Sequence, residues 1–241
     1  MKLIESPKDG DRLDLLNNPY PTLFEVVGIS RTIAVPHATH YGYVVAGAAR
    51  IDARRSVKGT VHYDLEAKLK AGSFFSIPAD VHIELDATDP TSLVVVITRL
   101  GFKGLLSVGA TERAGRLSYI DGCSDTILVP PPRQGDPCLN YLHFPRGILQ
   151  TQHTHPTLRA GIVARGKGHA FRLPSAGHSA WTKPLSAGAV FVLEPQEIHS
   201  FRTDESDEEM DVIAFHPDSD VGPTDAAHPM ISRTYIDHGK K

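Results

Sequence analysis

The sequence predicts an all-β fold made of two similar units. Three observations lead there. Short apolar or alternating runs recur along the 241 residues, each cut by Gly or Pro, at strand length rather than helix length. A weak internal repeat relates the two halves. Leu69-Lys-Ala-Gly72-Ser-Phe-Phe75 resembles Leu185-Ser-Ala-Gly188-Ala-Val-Phe191, and Tyr43-Val-Val-Ala-Gly47 resembles Ile162-Val-Ala-Arg-Gly166, at offsets of 116 and 119 residues. Finally, the chain has 13 histidines, and some of them stand at metal-ligand spacing.

The expected strands are Leu23–Val27, Gly42–Ile51, Ser73–Ile77, Ser92–Leu100, Leu139–Phe144, Gln150–His155, Gly161–Arg165, Ala189–Leu193 and Met210–Phe215. Leu65–Ala71 has helix propensity, but its place before Gly72 in the repeat makes it the approach to a strand. Asp121–Asp136 contains Pro130, Pro131 and Pro132, which fit neither a central strand nor a helix. It is expected to be an extended connection. The expected organisation is then 1–120 for the first unit, 121–138 for the connection and 139–241 for the second unit. The acidic run over 204–211 reads as a solvated hairpin loop, and Asp218–Met230 as coil.

Composition excludes several function classes. The net charge is -3, and no basic patch or Lys/Arg run suggests nucleic acid. No apolar run is long enough to span a membrane, and the first residues lack the apolar core of a secretory signal, so a cytoplasmic protein is expected. Cys123 and Cys138 belong to no CxxC pair and are expected to be free thiols.

The chemistry concentrates after residue 146. His153 and His155 are two apart, so on an extended segment both imidazoles project to one side, as a metal site requires. His199 follows a second glycine-led turn beginning at Gly188 and offers a third ligand. Gly147, His153, His155 and Gly166 keep the spacing of the first cupin motif, and Gly188 and His199 keep that of the second. Here the chain resembles the cupin superfamily. That resemblance implies two tandem cupin barrels of the double-stranded β-helix or jelly-roll type. It also implies one divalent transition metal on His153, His155 and His199. Arg159 stands where the family usually has a glutamate ligand, and a guanidinium cannot coordinate a metal. The site therefore resembles the three-histidine cupins, with Arg159 suited to anchoring a carboxylate.

Tyr141, His143 and Phe201 are the further candidates for substrate contact, with Gln150 or Gln152 as hydrogen-bonding groups and Glu197 as an acid, base or extra ligand. No catalytic residue is assigned. In the first half, Ala34 and Pro36 fall where His153 and His155 would be, so a metal-free unit is expected, with a shifted set of His37, His40 and His82 as the alternative. The resemblance implies an iron(II) dioxygenase acting with O2 on a small anionic, carboxylated substrate, aromatic or not. Zinc, nickel, manganese or copper are the other metals. A non-redox isomerase, decarboxylase or lyase and a non-catalytic ligand sensor are the other functions. A homodimer is expected.

Overall fold

The computed structural model describes residues 1–218 apart from Gly59, Ala87, Thr88, Ala176 and Asp207. The coil expected after Asp218 lies outside the described residues. The chain divides into two compact units: Pro7–Thr111, and Glu112 onward together with Met1–Ser6. Strand β1 (Lys2–Ile4) pairs with a strand of the second of these. No helix among the described residues is long and apolar enough to cross a membrane.

The 7–111 unit holds β2 (Arg12–Leu15), β3 (Thr22–Val27), β4 (Arg31–Ile33), β5 (Ala38–Ala46), β6 (Ala48–Val57), β7 (Thr60–Lys70), β8 (Ser73–Ile77), β9 (Asp80–Leu85), β10 (Leu93–Leu100) and β11 (Ser107–Ala110). They form a six-stranded sheet, β11-β8-β5-β10-β3-β2, and a four-stranded sheet, β4-β9-β6-β7. Val27, Val44, Phe75, Ile77, Val94 and Val96 of the first meet Ile33, Ala49, Ile51, Val81 and Ile83 of the second in one buried core. An apolar face of each sheet is hidden against the other, which is the reason for a two-sheet sandwich.

The other unit continues with β12 (Leu117–Ser118), β13 (Ser124–Val129), β14 (Cys138–Phe144), β15 (Arg159–Arg165), β16 (Lys167–Arg172), β17 (Trp181–Ser186), β18 (Val190–Leu193), β19 (Ser200–Arg202) and β20 (Met210–His216). Its sheets are β1-β18-β15-β20-β14-β13-β12 and β17-β16-β19. Leu142, Phe144, Val163, Phe191, Val212 and Ala214 pack against Ala170, Leu185 and Phe201 between them. Two local expectations change here. Residues 124–129 are a strand rather than a connection, because the proline run starts only at Pro130, after Val129 has closed the pairing with β14. Gln150–His155 is extended but forms no regular strand.

The repeat seen in the sequence is carried by matching backbone devices. In one unit Ala71 N donates to Gly47 O (2.8 Å) and Gly72 N to Val44 O (3.0 Å); in the other Ala187 N donates to Gly166 O (3.0 Å) and Gly188 N to Val163 O (2.8 Å). Gly166 has a φ of 72°, and a Cβ there would lie 1.6 Å from the Glu209 carbonyl oxygen, so no other residue fits. Each unit also lays a phenylalanine ring across a glycine of the neighbouring strand. Phe75 covers Gly42, and Phe191 covers Gly161. Cys123 and Cys138 are free and buried.

His40 titrates in the interior of the 7–111 unit. Its Nδ1 lies 2.9 Å from Thr98 Oγ1, and burial pushes its pKa down to about 4. The unfolded chain takes up this proton near 6.5. Between those values the unfolded state binds more protons, so stability falls as pH drops from about 6.5 to about 4 and is whole above that window. A gap of this size corresponds to about 3 kcal/mol. Urea unfolding at pH 7.5 and pH 4.5 measures it. His40→Gln keeps a polar end for Thr98 but does not titrate, and is expected to lose about 3 kcal/mol less than the unaltered chain between the two pH values. An equal loss in the variant would show that His40 is not its source.

Candidate metal centre

Two segments distant in sequence are pinned together at the site. His153 N donates to His199 O (3.0 Å) and His199 N donates to His153 O (3.1 Å), forming an isolated antiparallel bridge. Gln150 N donates to Phe201 O (3.0 Å), and Gln196 N to His155 O (2.8 Å). The His-x-His stretch thus lies extended along the approach to β19, and Pro156, which has no N–H, follows directly. Both imidazoles fall on the side of His199. One ligand atom from each of His153, His155 and His199 lies within 4.8 Å of the other two. The ring centroids are 4.4 to 5.2 Å apart.

The backbone also orients the rings. His153 Nδ1 donates to Thr151 O (2.9 Å) and His199 Nδ1 to Glu197 O (2.8 Å), which leaves each Nε2 with its lone pair. His199 Nε2 and His155 Nδ1 are buried and make no hydrogen bond. With its Nδ1 hydrogen on Glu197 O, His199 Nε2 is a buried acceptor without a partner, and a cation coordinated there removes the cost of that. Burial pushes His199 down to about 3, with His153 adding to the effect. Burial and then the Arg159 charge hold His155 well below the usual histidine range. All three residues fit a metal ion as neutral donors. Among the described residues no other group of histidine, cysteine and carboxylate ligands converges in this way. The set His37, His40 and His82 does not assemble: His82 Nδ1 pairs with Thr32 Oγ1 (2.8 Å) and His40 with Thr98.

The three rings open on a cavity of about 30 Å³. Arg159 opens β15, is 4% exposed and lines this cavity. Its Nη1 donates to Thr157 Oγ1 (2.6 Å) and to Leu158 O (2.5 Å), and Asp218 Oδ1 lies 3.7 Å away. Phe201 lines the cavity as well, its ring 5.7 Å from that of His199. Gln150 is on the wall and donates to Cys123 Sγ (3.3 Å), whereas Gln152 is turned away to accept from Leu173 N (2.6 Å).

Tyr141 and His143 are elsewhere. Leu142 and Phe144 of the same strand face the cavity, so strand alternation sends Tyr141 and His143 to the opposite face. There His143 Nδ1 meets Asp211 Oδ1 at 2.7 Å, and Asp211 also accepts from Arg165 Nε at 2.6 Å. Glu197 is no ligand either. Its carboxylate accepts from Glu194 N (2.9 Å) and from the Met1 amine, closing the turn before His199. His216 was not expected and does line the cavity, 6.5 Å from the His155 ring. The signal for it was strand parity, since Val212, Ala214 and His216 alternate onto one face of β20. His228, whose spacing gives it no ligand role, lies outside the described residues.

The turn that positions His155 carries strain. Gln196 has a φ of 58°, a left-handed conformation that disfavours any residue with a Cβ. Glycine is expected to relieve it. Gln196→Gly should keep the bond to His155 O and leave the protein equally stable or more stable by about 1 kcal/mol. Chemical unfolding tests this, and a clear loss of stability would show that the Gln196 side chain matters.

No family model and no curated protein matches the sequence. Solved structures do match the fold. A cupin 2 conserved barrel domain protein from Leptotrichia buccalis is 17% identical, with 89% of this chain and 95% of that chain covered at a TM-score of 0.58. Oxalate decarboxylase from Bacillus subtilis, in a study of its Mn(II) centres, is 12% identical, with 99% and 82% covered at 0.55. Salicylate 1,2-dioxygenase from Pseudoaminobacter salicylatoxidans is 13% identical, with 82% and 70% covered at 0.55. Together with the three converging histidines and the two-sheet units, these likenesses establish that the chain has the cupin fold.

Proposed function

We propose that the chain is a metal-dependent enzyme. In this reading His153, His155 and His199 hold one iron(II), and the reaction is the dioxygenation of a small carboxylated anion. The observation that carries it is the meeting of three imidazoles and the buried Arg159 guanidinium on one cavity. Neutral donors leave the charge of a bound cation uncompensated, which favours an anion, and the Arg159 guanidinium, its charge balanced by Asp218, supplies donors for it. Imidazole donors also suit zinc, nickel, manganese and copper. Iron is favoured by the resemblance to three-histidine cupin oxygenases, and a dioxygenase stands among the structural neighbours.

Iron(II) supplies the one-electron chemistry with O2 that no side chain supplies. The chain's own residues bind and orient. Arg159, held by Thr157 and the Leu158 carbonyl, presents a fixed cation to the acid group. Leu142, Phe144, Leu193 and Phe201 exclude water around it, which strengthens that attraction.

A second reading is a decarboxylase, lyase or isomerase that uses the metal as a Lewis acid. The likeness to oxalate decarboxylase favours it. Protein purified without chelators is expected to carry about one transition metal per chain, and His153→Ala and His199→Ala are each expected to lose it. Full metal content in both variants would remove the centre. With iron present, oxygen uptake on addition of small carboxylic acids is the expected outcome. Turnover with zinc and without O2 would move the assignment to the second reading.

A further inference from the structure

The cavity beside the three histidines has a polar side and an aromatic side. Arg159 stands at the start of β15 and His216 at the end of β20. Ala160 pairs with Phe215, so one step further along the same ladder Arg159 and His216 are cross-strand neighbours. Both are at most 5% exposed, and both line the cavity.

Phe191 stands one step deeper on the same sheet, paired with Gly161, two residues after Arg159. Its ring lies across Gly161, where a Cβ would come within 2.2 Å of Phe191 Cζ. Phe201 braces it with centroids 5.6 Å apart, and Phe144 braces Phe201 at 5.5 Å. A ring packed on both sides in this way does not swing aside freely. The space left is about 30 Å³, room for roughly two water molecules.

We propose that the cavity is specific for short-chain acids. Phe191 limits their length, and His216 is the second contact to the acid group beside Arg159. Formate or acetate fits the polar side; the ring of benzoate needs space that Phe191 fills. This deepens the proposed function and rests on its reading of the cavity as an anion site.

The full chain is loaded with cobalt(II), whose visible absorption responds to changes at the metal, and cobalt content is measured directly. Acetate and benzoate are titrated against this form and, by calorimetry, against the metal-free protein. Acetate is expected to bind and benzoate not to bind over the same range. Phe191→Ala and the milder Phe191→Leu are expected to admit benzoate, with cobalt content unchanged. His216→Leu is expected to weaken acetate about tenfold, the loss of one hydrogen bond to a charged group, again with cobalt retained. Equal binding of benzoate and acetate by the unaltered protein overturns the proposal. So does selectivity unchanged in both Phe191 variants, acetate affinity unchanged in His216→Leu, or no acid binding in either form. If cobalt is not taken up but acetate is still preferred over benzoate, the metal reading fails and the short-chain specificity stands.

Discussion

Two backbone hydrogen bonds hold the site together. His153 and His199 exchange N–H and C=O groups across a bridge that joins segments far apart in sequence. Without it the three rings have no reason to meet. Much of what surrounds the site follows from it. The same bridge runs on into the bond from Gln150 to Phe201, which places two of the cavity's walls. On the other side it leads to the bond from Gln196 to the His155 carbonyl, and the left-handed Gln196 is the local strain that accompanies that geometry. The ring orientations come from the backbone as well, through the carbonyls of Thr151 and Glu197. The ligand geometry of this centre is thus set largely by main-chain bonds.

The two units carry different side chains on one scaffold within one molecule. They share the paired bonds at Gly47 and Gly166, and both lay a phenylalanine over a glycine. At the positions that face the interior they differ. His40 occupies the strand position matching Arg159, and Thr98 the one matching His216. In the 7–111 unit these two hydrogen-bond to each other, His40 Nδ1 to Thr98 Oγ1 at 2.9 Å. In the other unit the matching pair lines a cavity beside three histidines. One scaffold thus carries a closed polar pair in one place and a cavity lined by the matching pair in the other.

Much of this was legible in the sequence where a residue has a backbone duty. Gly147, Gly166 and Gly188 adopt φ values of 70°, 72° and 91°, so their spacing marks turns that other residues resist. The histidine pair is read from the same logic of extended chain. Tyr141 and His143 were misread because β14 is buried on both faces, so its sequence shows no alternation to say which side faces the cavity. His216 was missed because it ends a strand whose other inward residues are apolar. The strand at Ser124–Val129 was read as a connection because the prolines just after it dominate the local pattern. Arg159 kept its parity past Pro156 because β15 begins with it.

X-ray absorption on the metal-loaded chain tests the central claim most directly. Three imidazole nitrogens at about 2.1 Å around the metal, with their outer-ring scattering, are the result the account requires. A first shell of sulfur, or of oxygen alone, would contradict it.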